Sequence, residues 1–204
     1  MATLDRPTVT QKRLLNVGGG HRDAPLPDYY SDWLRHWLDI DAGVSPDICG
    51  DARQLVELVS PGSYDAIYCS HNIEHYYPHD VPKVLGGFLH ALKPDGFAEI
   101  RCPDLGAVMQ DVVARKLDID SVLYTSPTGH QITVRDVIYG YGVEIERSGN
   151  DFYAHKTGFT QASLMRALQS VGFKGGGIAS KDFNLIAYAF KAVPSPEQRS
   201  MLGL

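Results

Sequence analysis

Four short runs rich in apolar, β-branched and aromatic residues, RLLNVGG, WLDIDA, YDAIYCSH and FAEIRCPD, each give way to turn or helix-opening residues. Between the last two lies PHDVPKVLGGFLHALKPDG, with Val81, Val84, Leu85, Phe88, Leu89 and Leu92 at helical spacing and Pro94 and Gly96 ending the run. Strands alternating with helices imply a parallel sheet covered on both faces. Further on, TQASLMRALQSVGF opens on a Thr160 cap, carries Leu164, Leu168 and Val171 on one face and stops at Gly172. GGGIASKDF and NLIAYAFKAV then follow with almost nothing between them, so they pair as an antiparallel hairpin at the edge of the sheet.

A chain of 204 residues holds one well-cored domain, read here as 1–204. Residues 105–157 fit the alternation poorly. They carry a helix candidate, LGAVMQDVVARKL, and then a polar and aromatic stretch too long for a plain connection, so they are expected to form an insertion folded over the strand ends. The tail PSPEQRSMLGL reads as a surface extension. With 44% apolar and 21% charged residues, disorder is excluded, and a net charge of -5 argues against nucleic acid as the main partner. Cys49, Cys69 and Cys102 are too scattered for a disulfide framework or a zinc knuckle and read as buried apolar residues. No leader-like run opens the chain and no segment approaches the roughly 18 apolar residues of a membrane span, so a cytoplasmic protein is expected.

Chemistry enters where the first strand ends. Gly18, Gly19 and Gly20 take the chain from buried-strand residues to bare backbone, and at the carboxyl end of a parallel strand this lets a cofactor lie against the main chain. Such a cluster also makes ordinary tight turns. Asp39 and Asp41, roughly 20 residues on, stand where nucleotide-binding folds place an acid for ribose hydroxyls.

In this order and spacing, LLNVGGG, WLDIDAGVSPDICGDARQL, YDAIYCSHNIEHYYPHDVPKVLGGFLHALKPDGFAEIRCPDL and HKTGFTQASLMRALQSVGF resemble the class I S-adenosylmethionine-dependent methyltransferases, small bacterial type. The resemblance covers about three quarters of the chain and lapses over 106–154. It implies an α/β fold: a Rossmann-like, doubly wound, seven-stranded mixed sheet with an antiparallel C-terminal hairpin, in three α/β/α layers. It also implies S-adenosylmethionine as cofactor, with Gly18, Gly19 and Gly20 at its amino-acid end, Asp39 or Asp41 on the ribose, and Asp51 and Ala52 at the adenine. Asp51 is equally a helix N-cap. Two positions depart from the family's pattern: Asn16 replaces the usual acid and orients the turn, and Arg22 stands at a glycine position, to pair with the cofactor carboxylate or point to solvent.

Ser70, His71 and Asn72 close the fourth strand, where methyl donor and acceptor meet in this family, with Ser70 and His71 also expected beside the cofactor. Methyl transfer from a sulfonium asks mainly for alignment, and a base helps when the acceptor is a hydroxyl. His71, His75 and His155 are the candidate catalytic residues, with His75 alternatively a loop lock and His155 alternatively an anchor for the insertion. Asn72, Tyr139, Tyr141 and Tyr153 are the candidate substrate contacts, the tyrosines serving a sugar or aromatic acceptor or else a homodimer contact. H-N-I-E-H is not H-E-x-x-H, so no metal is expected. The expected activity is methyl transfer to a small molecule, at oxygen. A non-catalytic module of the same fold and an NAD(P)-dependent oxidoreductase are the alternatives.

Overall fold

The computed structural model describes residues 11–126 and 129–204. The first ten residues, and with them most of the N-terminal stretch in which no leader-like run is read, lie outside that range. In chain order the elements are β1 (Arg13–Val17), β2 (Leu34–Asp39), β3 (Ile48–Cys49), α1 (Leu55–Leu58), β4 (Tyr64–Ser70), α2 (Val81–Ala91), β5 (Leu92–Pro103) and α3 (Leu105–Arg115). There follow β6 (Val122–Thr125), β7 (Gln131–Thr133), α4 (Val134–Tyr139), α5 (Gly142–Ser148), α6 (Gln161–Val171), β8 (Gly175–Lys181), β9 (Asn184–Phe190) and α7 (Pro196–Leu202).

Seven strands form one sheet in the order β3-β2-β1-β4-β5-β9-β8. The first five are parallel, and β9 is antiparallel to both β5 and β8, so the hairpin read from the sequence closes the sheet. The order reverses between β1 and β4. There the connections leave in opposite directions and open a crevice at the carboxyl ends of the strands.

Period-two alternation sorts the side chains onto two faces. Leu15, Val17, Ile67, Cys69, Ala98 and Ile100 point into a large core with Val84, Leu85 and Phe88 of α2 and Leu164 and Leu168 of α6. α6 is held at both ends: Thr160 and Ser163 cap each other at its start, and Gly172 ends it in the left-handed region. The opposite face carries Leu14, Ala66, Tyr68, Phe97 and Phe190, covered by Tyr30 and by Leu202 of α7. The tail is therefore not a free surface extension: Ser195 and Gln198 form a capping box that starts a helix whose Leu202 is buried.

Residues 105–157 fold as α3, the β6–β7 hairpin, α4 and α5, with a small core of their own built on Val108, Leu123, Val134 and Val137. Of the three cysteines, Cys69 and Cys102 are buried but Cys49 is exposed, because it ends the short edge strand β3. Among the described residues no helix is long and apolar enough to cross a membrane.

Candidate active site

Two adjoining cavities open at the strand ends. The first, about 370 Å³, is lined by Gly18, Gly20, Asp39, Asp41, Asp51, Asn72 and further residues of the loops after β1 to β4 and of the segment 150–156. Gly18 and Gly20 both sit at positive φ, +67° and +64°. A β-carbon on Gly18 would collide with the Asn72 amide, whereas one on Gly20 would meet open space. The turn is thus wedged on one side and clear on the other. Asp39 is buried at the floor, its carboxylate accepting from Gly20 N at 3.1 Å and Asp41 N at 3.0 Å. A carboxylate oxygen accepts more than one donor, so Asp39 fixes the glycine turn and can still receive a diol.

Asp41 and Asp51 line the same cavity and also cap short turns, accepting from Gly43 N and Arg53 N. Arg53 further grips Asp51 through Nε at 2.8 Å and Nη2 at 2.6 Å and reaches Asp80 at 3.2 Å. Burial works against the Asp51 charge, but these donors outweigh it and hold the carboxyl below its ordinary range. Arg22 is exposed, and there it pairs with Asp47 at 2.8 Å and lies over the Trp37 ring.

Asn16, Gly19, Ala52 and Ser70 do not line either cavity. Asn16 points to the opposite face of the sheet, where its amide and the Trp37 indole N–H are buried without a hydrogen-bond partner among the described residues. Ala52 is buried under the Asp51 turn, and Ser70 shares the sheet face of Tyr68 because the two lie two positions apart on one strand.

The second cavity, also about 370 Å³, lies under the insertion. His71, His75 and Tyr153 line both cavities and mark where they meet. His155 and Tyr141 line only the second, and exposed Tyr139 lines neither. His71 holds a left-handed backbone at φ +50°, which puts its half-exposed ring at the junction, 3.4 Å from the Glu74 carboxylate through Nδ1. Glu74 is only 1% exposed and has no hydrogen-bond donor closer than this ring among the described residues. Burial favours the neutral forms of both, yet the pairing prevails: the His71 pKa is raised and that of Glu74 lowered.

His75 is locked, with Nδ1 at 3.1 Å from Ala154 O and Nε2 at 3.2 Å from His71 O. His155 sets Nδ1 at 2.9 Å from Val137 O, and burial lowers its pKa, so the neutral ring donates there and keeps Nε2 as a free acceptor. The main chain beside it ties the insertion down through Lys156 N and Thr157 N, which both donate to Glu74 O. Glu74, His75 and His155 offer ligand atoms within 4.8 Å of one another, but both nitrogens of His75 already face carbonyl oxygens.

Glu74 is the residue that sequence reasoning left out of the site. Its signal was present, three residues after His71 in H-N-I-E-H. Arg53 and Asp80, 27 residues apart, carried none.

Neither a protein-family model nor a curated protein sequence matches the chain. Solved structures do. A SAM-dependent methyltransferase from Archaeoglobus fulgidus aligns with TM-score 0.55 at 14% identity, over 88% of this chain and 86% of that one. Another, from Aquifex aeolicus, gives 0.54 at 11% over 89% and 82%. The 1,6-didemethyltoxoflavin-N1-methyltransferase of Burkholderia thailandensis, solved with 1,6-didemethyltoxoflavin and S-adenosylhomocysteine, gives 0.53 at 15% over 89% and 72%. This chain has the class I methyltransferase fold. The seven-stranded mixed sheet expected from the sequence is the architecture they share.

Proposed function

We propose that the protein is an S-adenosylmethionine-dependent methyltransferase acting on the hydroxyl oxygen of a small molecule. The observation that carries this reading is one cavity joining the open glycine turn, the buried Asp39 carboxylate and Asp51, with a histidine–carboxylate pair at the border of a second. Gly18 and Gly20 would hold the amino-acid end of the cofactor, Asp39 with Asp41 the ribose, and Asp51 the adenine. Bound, S-adenosylmethionine supplies a methyl carbon on a sulfonium, and transfer forms a C–O bond as the S–C electrons pass to sulfur.

His71 takes the hydroxyl proton on its ring, with Glu74 behind it compensating the charge of the imidazolium. His155 offers a second acceptor on the acceptor side, and His75 serves as the lock that holds the loop to the insertion. Tyr153 would meet substrate where the two cavities join, Asn72 on the side of the first, and Tyr141 would wall the second. A small acceptor and a cytoplasmic setting agree with the acidic charge and with no helix suited to span a membrane among the described residues.

Thermal unfolding with S-adenosylhomocysteine, NAD or NADP tests the reading. Ligand at about 100 times its dissociation constant stabilises by roughly 2.7 kcal/mol, raising the midpoint about 5 to 10 °C. A rise with S-adenosylhomocysteine alone, lost in Asp39→Ala, is expected. A rise with NAD instead, or none, removes the methyltransferase reading.

A further inference from the structure

The second cavity has a wall composition that discriminates among acceptors. Tyr124 and Phe183 stack on each other at 5.9 Å and 18°, and with Ile132, Val137, Tyr141 and Pro103 they make most of its surface apolar or aromatic. Among the described residues, no lysine or arginine lines it. The nearby guanidiniums are already engaged, Arg147 with Glu144 and Arg135 with Asp120.

Its ionisable groups are largely engaged already. Asp136 accepts from Thr133 N and Oγ1 through one oxygen and from Gly142 N through the other. Glu144 holds Arg147, both nitrogens of His75 face carbonyl oxygens, and His155 Nδ1 faces Val137 O. A sugar entering here would press hydroxyls against the Tyr124–Phe183 stack, Ile132, Val137 and Pro103, where no partner faces them, which costs more than laying a ring there with its one polar atom at the border. An anion would meet the Asp136 carboxylate, and among the described residues no lysine or arginine lines the cavity to receive it. The Tyr124, Tyr141 and Tyr153 hydroxyls and the Asn184 amide also line it, while the free nitrogen of His155 and the His71 ring lie towards the border with the first cavity.

We infer that the second cavity binds a flat aromatic acceptor that bears a hydroxyl group and no anionic group. The ring lies against Tyr141 and the Tyr124–Phe183 pair, and the hydroxyl points to His71 at the border. This rests on the methyltransferase reading for its role as acceptor, but the binding preference stands on the wall alone.

Isothermal titration of the full chain with naphthol, naphthoate, naphthyl phosphate and methyl glucoside tests it. Naphthol should bind, with both anions about tenfold weaker or worse and the glucoside weaker still. Phe183→Ala and Tyr141→Ala should each weaken naphthol about three- to tenfold, the range of an aromatic contact, while leaving the stabilisation by S-adenosylhomocysteine intact as proof of folding. Equal or tighter binding of an anion or of the glucoside overturns the inference. So does failure of naphthol to bind, or naphthol binding that neither substitution moves. If S-adenosylhomocysteine fails to stabilise the protein while the naphthalene series follows the expected order, the proposed function falls and the aromatic site remains. Stabilisation without that order has the reverse meaning.

Discussion

His71 occupies a conformation that residues with a β-carbon seldom adopt, at a cost of order 1–3 kcal/mol, and what it gains is a ring set between two cavities against a buried carboxylate. Burial pulls its pKa down, but Glu74 raises it by more. Glu74→Gln should therefore move the His71 titration to lower pH, read from imidazole proton shifts by NMR. The base is active when neutral, so the rising limb of any methyl-transfer profile should move the same way. An unmoved His71 titration would mean that the pair is not coupled. At the glycine turn, Gly18→Ala combines positive φ with a collision against Asn72, whereas Gly20→Ala meets open space. We expect losses of about 2–3 and about 1 kcal/mol respectively in urea unfolding, with equal losses disproving the wedge. The glycine turn and the place of Asp39 beside it were legible because they depend on backbone freedom and spacing along the chain. The placing of Asn16 and Ser70 was not, since only the pleat decides which face of the sheet a strand-end residue takes.

Elements whose ends carry their own chemistry were the readable ones. Thr160 and Gly172 bound α6, Pro82 sits in the first turn of α2, and the β8–β9 connection leaves no room for a crossover. The insertion resisted because its small core joins Val108 to Leu123, Val134 and Val137 across three elements, with no single amphipathic run to announce it. α7 resisted for another reason: at seven residues it is too short to hold by propensity, and what fixes it is Leu202 against the sheet. Leu202→Ala should thus cost about 2 kcal/mol and lower the melting midpoint by about 4 to 8 °C, because it uncovers Leu14 and Phe190 on that face. A change under about 0.5 kcal/mol would return the tail to the status of a surface extension.

Across the whole molecule, the two faces of the sheet are held by different physics. One is apolar, while the other places Asn16, Tyr68, Glu99 and Tyr188 side by side on adjacent strands. Glu99 is fully buried there, accepting from the hydroxyls of Tyr29 at 2.6 Å and Tyr30 at 3.0 Å through one oxygen and from Arg101 Nε at 2.9 Å through the other. The loop that carries the two tyrosines covers this face, so its attachment depends on their protons. Burial raises both tyrosine pKa values, and Glu99 adds to the rise. In the unfolded chain a tyrosine ionises near pH 10. Their contribution to stability is accordingly complete below about pH 10 and is lost above it, because the unfolded chain releases protons that the folded protein retains. Urea unfolding between about pH 8 and 11 should show this decline. Replacing both Tyr29 and Tyr30 by Phe should lower stability at neutral pH, since Glu99 loses two donors, and should flatten the alkaline decline by up to about 1.4 kcal/mol per pH unit for each tyrosine removed. An alkaline slope unchanged in the double variant would show that other groups set it and that the tyrosine–glutamate cluster does not fasten this face.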